Sequence, residues 1–135
     1  MFCCSEQSKK VKPSSNVYLT HDLATVKVKI KMTKVLDSYL QSWFAIYCSL
    51  LFGDRLSRDL IVQFEDLSDT NVIGYFDPDF NTIGISDDIP ENFVKSVLLH
   101  EMTHAWDYAI RGKTDHGETF QQKATEIEEK LGICI

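Results

Sequence analysis

The chain has 135 residues, the size of one compact domain, with 44% hydrophobic and 25% charged residues and a formal net charge of −6. No apolar run approaches the roughly 18 to 20 residues of a membrane helix, and the N-terminus lacks the apolar core of a secretion signal. A membrane span and a secreted product are therefore excluded as expectations. The four cysteines, Cys3, Cys4, Cys48 and Cys134, form no C-x-x-C pair and match neither a zinc ribbon nor a disulfide framework. They read as free thiols of an intracellular protein, cytoplasmic or, in a eukaryotic or viral setting, nuclear.

Charge is spread unevenly. Residues 1–36 hold seven lysines against two acids, a balance of +5, and the other residues hold seven basic against eighteen acidic side chains, a balance of −11. Such a lysine-rich arm can touch DNA phosphates, although a solvated face is the plainer reading.

In chain order, residues 1–16 are polar, end in Lys12-Pro-Ser-Ser-Asn16 and read as a flexible tail before a single domain over 17–135. Val26 to Met32 alternates apolar residues with lysine, which predicts a strand, with a lysine-rich helix start as the competing reading. From Thr33 to Leu51, Val35, Leu36, Tyr39, Leu40, Trp43, Ile46, Tyr47 and Leu50 recur at three- and four-residue spacing, so this is an amphipathic helix stopped near Gly53. Three strand-like segments follow, Asp59–Glu65, Val72–Phe76 and Asn81–Ser86, the last two joined by the turn residues Asp77-Pro78-Asp79. Pro90 and Glu91 then open a helix to about Ile110, and a final helix runs from Glu118 to Leu131, where Gly132 ends it. The order predicts an α+β domain with a small, largely antiparallel three-stranded sheet.

His100-Glu101-Met102-Thr103-His104 lies inside the strongest of these helices. Residues four apart on a helix sit about 40° apart around the axis and one turn apart along it, so both imidazoles can grip one ion. Glu101 stays off the metal yet can take a proton from a water that zinc has acidified, and later return it to a leaving nitrogen. A catalytic zinc ordinarily has three protein ligands. His116, just past Gly112, is the obvious third, with Asp115 as the alternative. A surface helix with two unrelated histidines is the bland reading, but Val94, Val97, Leu98, Met102 and Ala105 make this helix apolar on most sides, and buried histidines are costly unless paired or metal-bound.

The stretch His100-Glu-Met-Thr-His-Ala-Trp106 followed by Asp115-His-Gly-Glu-Thr-Phe120 resembles the SprT-like, or Spartan, family of zinc metallopeptidases. Gly74-Tyr75-Phe76-Asp-Pro and Asn81-Thr-Ile-Gly-Ile-Ser86 resemble that family's hairpin before the active helix, so the likeness covers roughly Leu60 to Leu131. It implies a zincin-like fold, Zn2+ held by His100, His104 and His116, and Glu101 as general base. It also implies a protein or peptide substrate, in a family associated with proteins attached to DNA. Many members of that family add a C-terminal zinc ribbon or recruitment motifs, for which no counterpart is expected here, and Gly117-Glu118 stands where glycine-proline is common. The competing function is a zinc-bound adaptor or DNA-associated module without turnover, which would have no need of Glu101. Further expectations are that Asp107 or Asp115 orients a ligand imidazole, and that Tyr75 and Tyr108 either steady an oxyanion or pack the core. Phe120 and Trp106 should join the last two helices. An extended substrate should dock along Asn81–Ser86, provided that strand keeps a free edge.

Overall fold

The computed structural model describes residues 37–53 and 55–135. The expectations for the opening tail, the Val26–Met32 segment, the lysine-rich arm and residues 33–36 lie outside the described residues.

Helix α1 spans residues 37–47 and runs on into a π-helical turn, Cys48–Phe52. It buries Leu40, Phe44, Tyr47, Cys48, Leu51 and Phe52, whereas Ile46 and Leu50 are 44% and 63% exposed. The apolar face is therefore rotated from the expected one. Two overlapping stripes in this segment satisfy helical spacing, and only packing against the sheet and the last helix chooses between them. Asp37, the first described residue of α1, accepts the backbone N–H of Phe64 at 2.7 Å, fastening the helix to the first strand.

The strands are β1 (Ile61–Glu65), β2 (Gly74–Asp77) and β3 (Thr82–Ser86), in the spatial order β1-β3-β2. The β2–β3 hairpin is antiparallel as expected, and its turn is locally encoded. The Asp77 carboxylate accepts the N–H groups of Asp79 and Phe80 at 2.9 and 3.3 Å, and Asn81 takes a φ of 51°, which asparagine tolerates better than most residues. β1, however, pairs parallel with β3, from Ile61 opposite Thr82 to Glu65 opposite Ser86, so the sheet is mixed rather than largely antiparallel. Residues 66–73 carry the chain past the end of β3 before the hairpin inserts β3 between its two neighbours. The consequence for function is direct. β3 is central and hydrogen-bonded on both sides, so the expectation that substrate docks along it is wrong.

Alternation along the strands gives the sheet two unlike faces. Val62, Phe64, Gly74, Phe76, Ile83 and Ile85 share one face; Gln63, Glu65, Tyr75 and Gly84 share the other. The Tyr75 ring lies over Gly84, where any Cβ would collide with it, and its hydroxyl donates to Glu65.

Helix α2 (Glu91–Arg111) packs on the first face, against β2 and β3, and on α3 (Glu118–Leu131). Glu91 and Glu118 sit in the first turns, where a carboxylate suits the helix dipole. Gly112 ends α2 with φ 72° and donates its N–H to Tyr108 O at 2.8 Å. The core joins Leu40 and Phe44 of α1, Ile83 and Ile85 of β3, Val97 and Leu98 of α2, and Ile127 of α3. Ile85 is fully buried at the meeting of sheet and α2. Ile85→Ala should cost about 2–5 kcal/mol through lost transfer energy and the cavity left behind, read as a lower urea midpoint at unchanged m.

Candidate metal centre

The helix period does for the site what it does for the core. α2 is so thoroughly packed that His100, Glu101 and His104 are 0%, 1% and 8% exposed. Between α2 and α3 the chain reverses at Gly112 and returns His116, which is exposed, to the helix it has just left. His116 Nε2 lies 3.1 Å from His104 Nε2 and 3.3 Å from His100 Nε2. One ligand atom from each of the three falls within 4.8 Å of the others. Two nitrogens held at about 2.0–2.1 Å on a tetrahedral zinc are about 3.3–3.4 Å apart, so the two separations from His116 are already close to those of such a donor set.

The protonation states fit as well. Burial, reinforced by His104 and His116, lowers the His100 pKa to about 3. Burial and His116 lower that of His104 to about 4, against the opposing pull of Asp107 and Asp115. Both rings are neutral at neutral pH and so keep a lone pair for a cation. Three nitrogen donors aimed at one point are an arrangement that a shared metal ion stabilises, and these residues could hold one.

Phe120 forms the floor of this cluster. Its ring centroid lies 5.0, 4.5 and 5.0 Å from those of His100, His104 and His116, and the residue is fully buried. The sequence reading gave Phe120 only a helix-joining role. The signal that could have shown more is its place only four residues after His116. Trp106 does join the last helices, with Lys123 Nζ 5.2 Å over its ring.

Glu101 faces the sheet at Gly74. A Cβ built there would stand 3.4 Å from Glu101 Cγ and only 2.6 Å from Val97 Cγ1, so a bare backbone is what lets α2 bring Glu101 this near to β2. Tyr75, one residue on, points to the opposite face and away from the triad. Tyr108 packs edge-on against Phe76 at 5.9 Å but is 37% exposed, so it is not a core residue.

Of the two acids, Asp115 does not replace His116 in the cluster, because its carboxylate is engaged by Arg111 and by the Gly117 N–H, at 2.8 and 2.9 Å. Asp107 reaches His104 only through Thr114, a residue the sequence reading passed over. Burial alone would raise the Asp107 pKa, but hydrogen bonds from Arg111, the Asp115 N–H and Thr114 hold it below the ordinary carboxylate range.

The sequence profile of the SprT-like family matches residues 40–135, well over half the chain. The chain belongs to the SprT-like family. No curated protein and no solved structure matches it. Membership agrees with the α+β architecture, a small zincin-like arrangement in which a histidine-bearing helix lies against a three-stranded sheet. As in the sequence reading, no helix among the described residues is long and apolar enough to cross a membrane.

Proposed function

We propose that this SprT-like chain is a zinc-dependent endopeptidase in which His100, His104 and His116 hold Zn2+ and Glu101 is the general base. The observation that carries the reading is the convergence of three imidazoles, two of them buried and neutral, with a carboxylate on the same helix turn. Zinc bound there would supply a Lewis acid that polarises a peptide carbonyl and makes water acidic enough to lose a proton near neutral pH. Glu101 accepts that proton as the water oxygen bonds to the carbonyl carbon. The same carboxyl then delivers it to the leaving nitrogen as the C–N bond breaks, giving one new carboxyl and one new amine. Gly74 contributes by keeping Glu101 against β2, and Phe120 by closing the inner side of the histidine cluster.

A zinc-bound adaptor of the same fold would give the metal site but no turnover, and it leaves Glu101 without a task. If the substrates are proteins attached to DNA, contact with the nucleic acid falls to the lysine-rich residues 1–36, because the remaining chain carries −11 and repels phosphate.

The test is metal analysis beside a cleavage assay on casein and on a protein crosslinked to DNA. We expect one zinc per chain and proteolysis that a chelator stops and zinc restores. Stoichiometric zinc with no cleavage of either substrate supports the adaptor instead, and no zinc uptake overturns both readings.

A further inference from the structure

Asp107 is fully buried, yet its carboxylate collects four donors. Arg111 Nε reaches Oδ1 at 2.6 Å, and Oδ2 accepts Arg111 Nη2 at 2.8 Å, Thr114 Oγ1 at 3.0 Å and the Asp115 N–H at 3.3 Å. These bonds run in two directions. In one, Thr114 Oγ1 lies 2.8 Å from His104 Nδ1. In the other, Arg111 Nη2 also bonds Asp115 Oδ1, which accepts the N–H of Gly117. The residues on either side of His116 are thus tied, directly or through Arg111, to one carboxylate on α2.

We propose that Asp107 is a positioning residue for His104 and His116 together, acting on the first through the Thr114 hydroxyl and on the second through Arg111 and Asp115. The inference rests on the metal reading above and extends it. Proton bookkeeping sets the direction of the first arm. An ionised carboxylate only accepts, so the one hydroxyl proton of Thr114 goes to Asp107. Thr114 Oγ1 can then only accept from His104, which places the ring proton on Nδ1 and the lone pair on Nε2, the nitrogen that faces His116. A histidine held in this tautomer before the ion arrives need not rearrange to bind it.

The second arm is a matter of backbone. Gly112 starts the turn in the left-handed region, and Gly117 ends it beside Asp115, where a Cβ would stand 2.8 Å from Asp115 Oδ1. Between these points the turn has little apolar anchorage, and Thr114, Asp115 and Gly117 are held by the Asp107–Arg111–Asp115 bonds. Gln121 of α3 adds a bond to the His116 carbonyl at 3.2 Å. Without the brace, His116 would have to be ordered at the expense of metal affinity.

Two measurements test this. The first is the His104 tautomer, read from long-range 1H–15N couplings in zinc-free protein at neutral pH. The second is zinc affinity, read by competition with a chromophoric chelator. The wild-type ring should carry its proton on Nδ1. Thr114→Val should shift the proton to Nε2 and weaken zinc by about 10- to 100-fold, and Thr114→Ser should restore both. Arg111→Met should weaken zinc while leaving the His104 tautomer unchanged, because the Thr114–Asp107 bond survives. A folded Thr114→Val with wild-type tautomer and affinity overturns the first arm, and Arg111→Met with wild-type affinity overturns the second. Should Thr114→Val fail to fold, Thr114→Ser with an Nε2–H ring overturns the first arm as surely. A wild-type chain that takes up no zinc defeats the metal reading, whereas the tautomer comparison needs no metal and still decides the first arm.

Discussion

Glu101→Gln is expected to keep zinc at one per chain and to lower peptide cleavage by about 10²- to 10⁴-fold, the usual worth of a positioned general base. The substitution is nearly isosteric, so the buried side chain keeps its place against Gly74 and β2, and no ligand nitrogen is touched. Glutamine can donate and accept hydrogen bonds but cannot take a proton at neutral pH. The loss should therefore fall on kcat, with KM and thermal stability close to wild type. Zinc content measured on the same preparation separates a missing base from a missing metal. Wild-type turnover in a zinc-replete Glu101→Gln would mean that another group accepts the proton, and the mechanism would have to be drawn again.

Why the placement of His100, Glu101 and His104 on one helix was legible in the sequence while other parts of the molecule were not follows from the range over which each is determined. The spacing of His100, Glu101 and His104 is set by the helix they share, and the helix by the apolar residues that bury it. Both the pattern and its consequence are local. The β2–β3 hairpin was legible for the same reason, since Asp77, Pro78 and Asn81 shape the turn themselves. The partner of β1 was not. Ile61–Glu65 pairs with residues some twenty positions later, and nothing within the segment distinguishes parallel from antiparallel addition. That single ambiguity turned β3 from a supposed edge into the centre of the sheet and removed the proposed docking strand.

The site shows the same division. His116 stood out because histidine is scarce in this chain and the residue follows a glycine turn. Thr114 carries no such mark, because a threonine in a turn is ordinary, and its bond to His104 exists only once α2 and the turn lie together. Phe120 was expected to join the last two helices, and it does so through the imidazoles of His100 and His104 on α2, with His116 beside them. Residue type forecast the burial of Phe120. Partners required the fold.

Removing the metal should make the stability of the chain steeply dependent on pH. In the folded chain His100 and His104 titrate only at about 3 and about 4, chiefly because burial disfavours their charged forms. In the unfolded chain both titrate near 6.5. Above that value neither state holds the protons and the two groups have no effect. As the pH falls below about 6.5, the unfolded chain takes up protons that the folded chain refuses, so stability is lost progressively until about pH 4 for His104 and about pH 3 for His100. At pH 5 the loss is about 2 kcal/mol for each group, or about 4 kcal/mol for the pair. That is a large part of the roughly 5–15 kcal/mol that holds an ordinary domain together. Zinc should oppose this loss near neutral pH, because an ion that binds only the folded state adds its own stabilisation, and should cease to do so once protons displace it. Urea midpoints at pH 7 and pH 5, with chelator and with saturating zinc, check the expectation. The chelated protein should show a clearly lower midpoint at pH 5, whereas equal midpoints would show that the folded chain accepts these protons and that His100 and His104 are far more open to water than their burial implies.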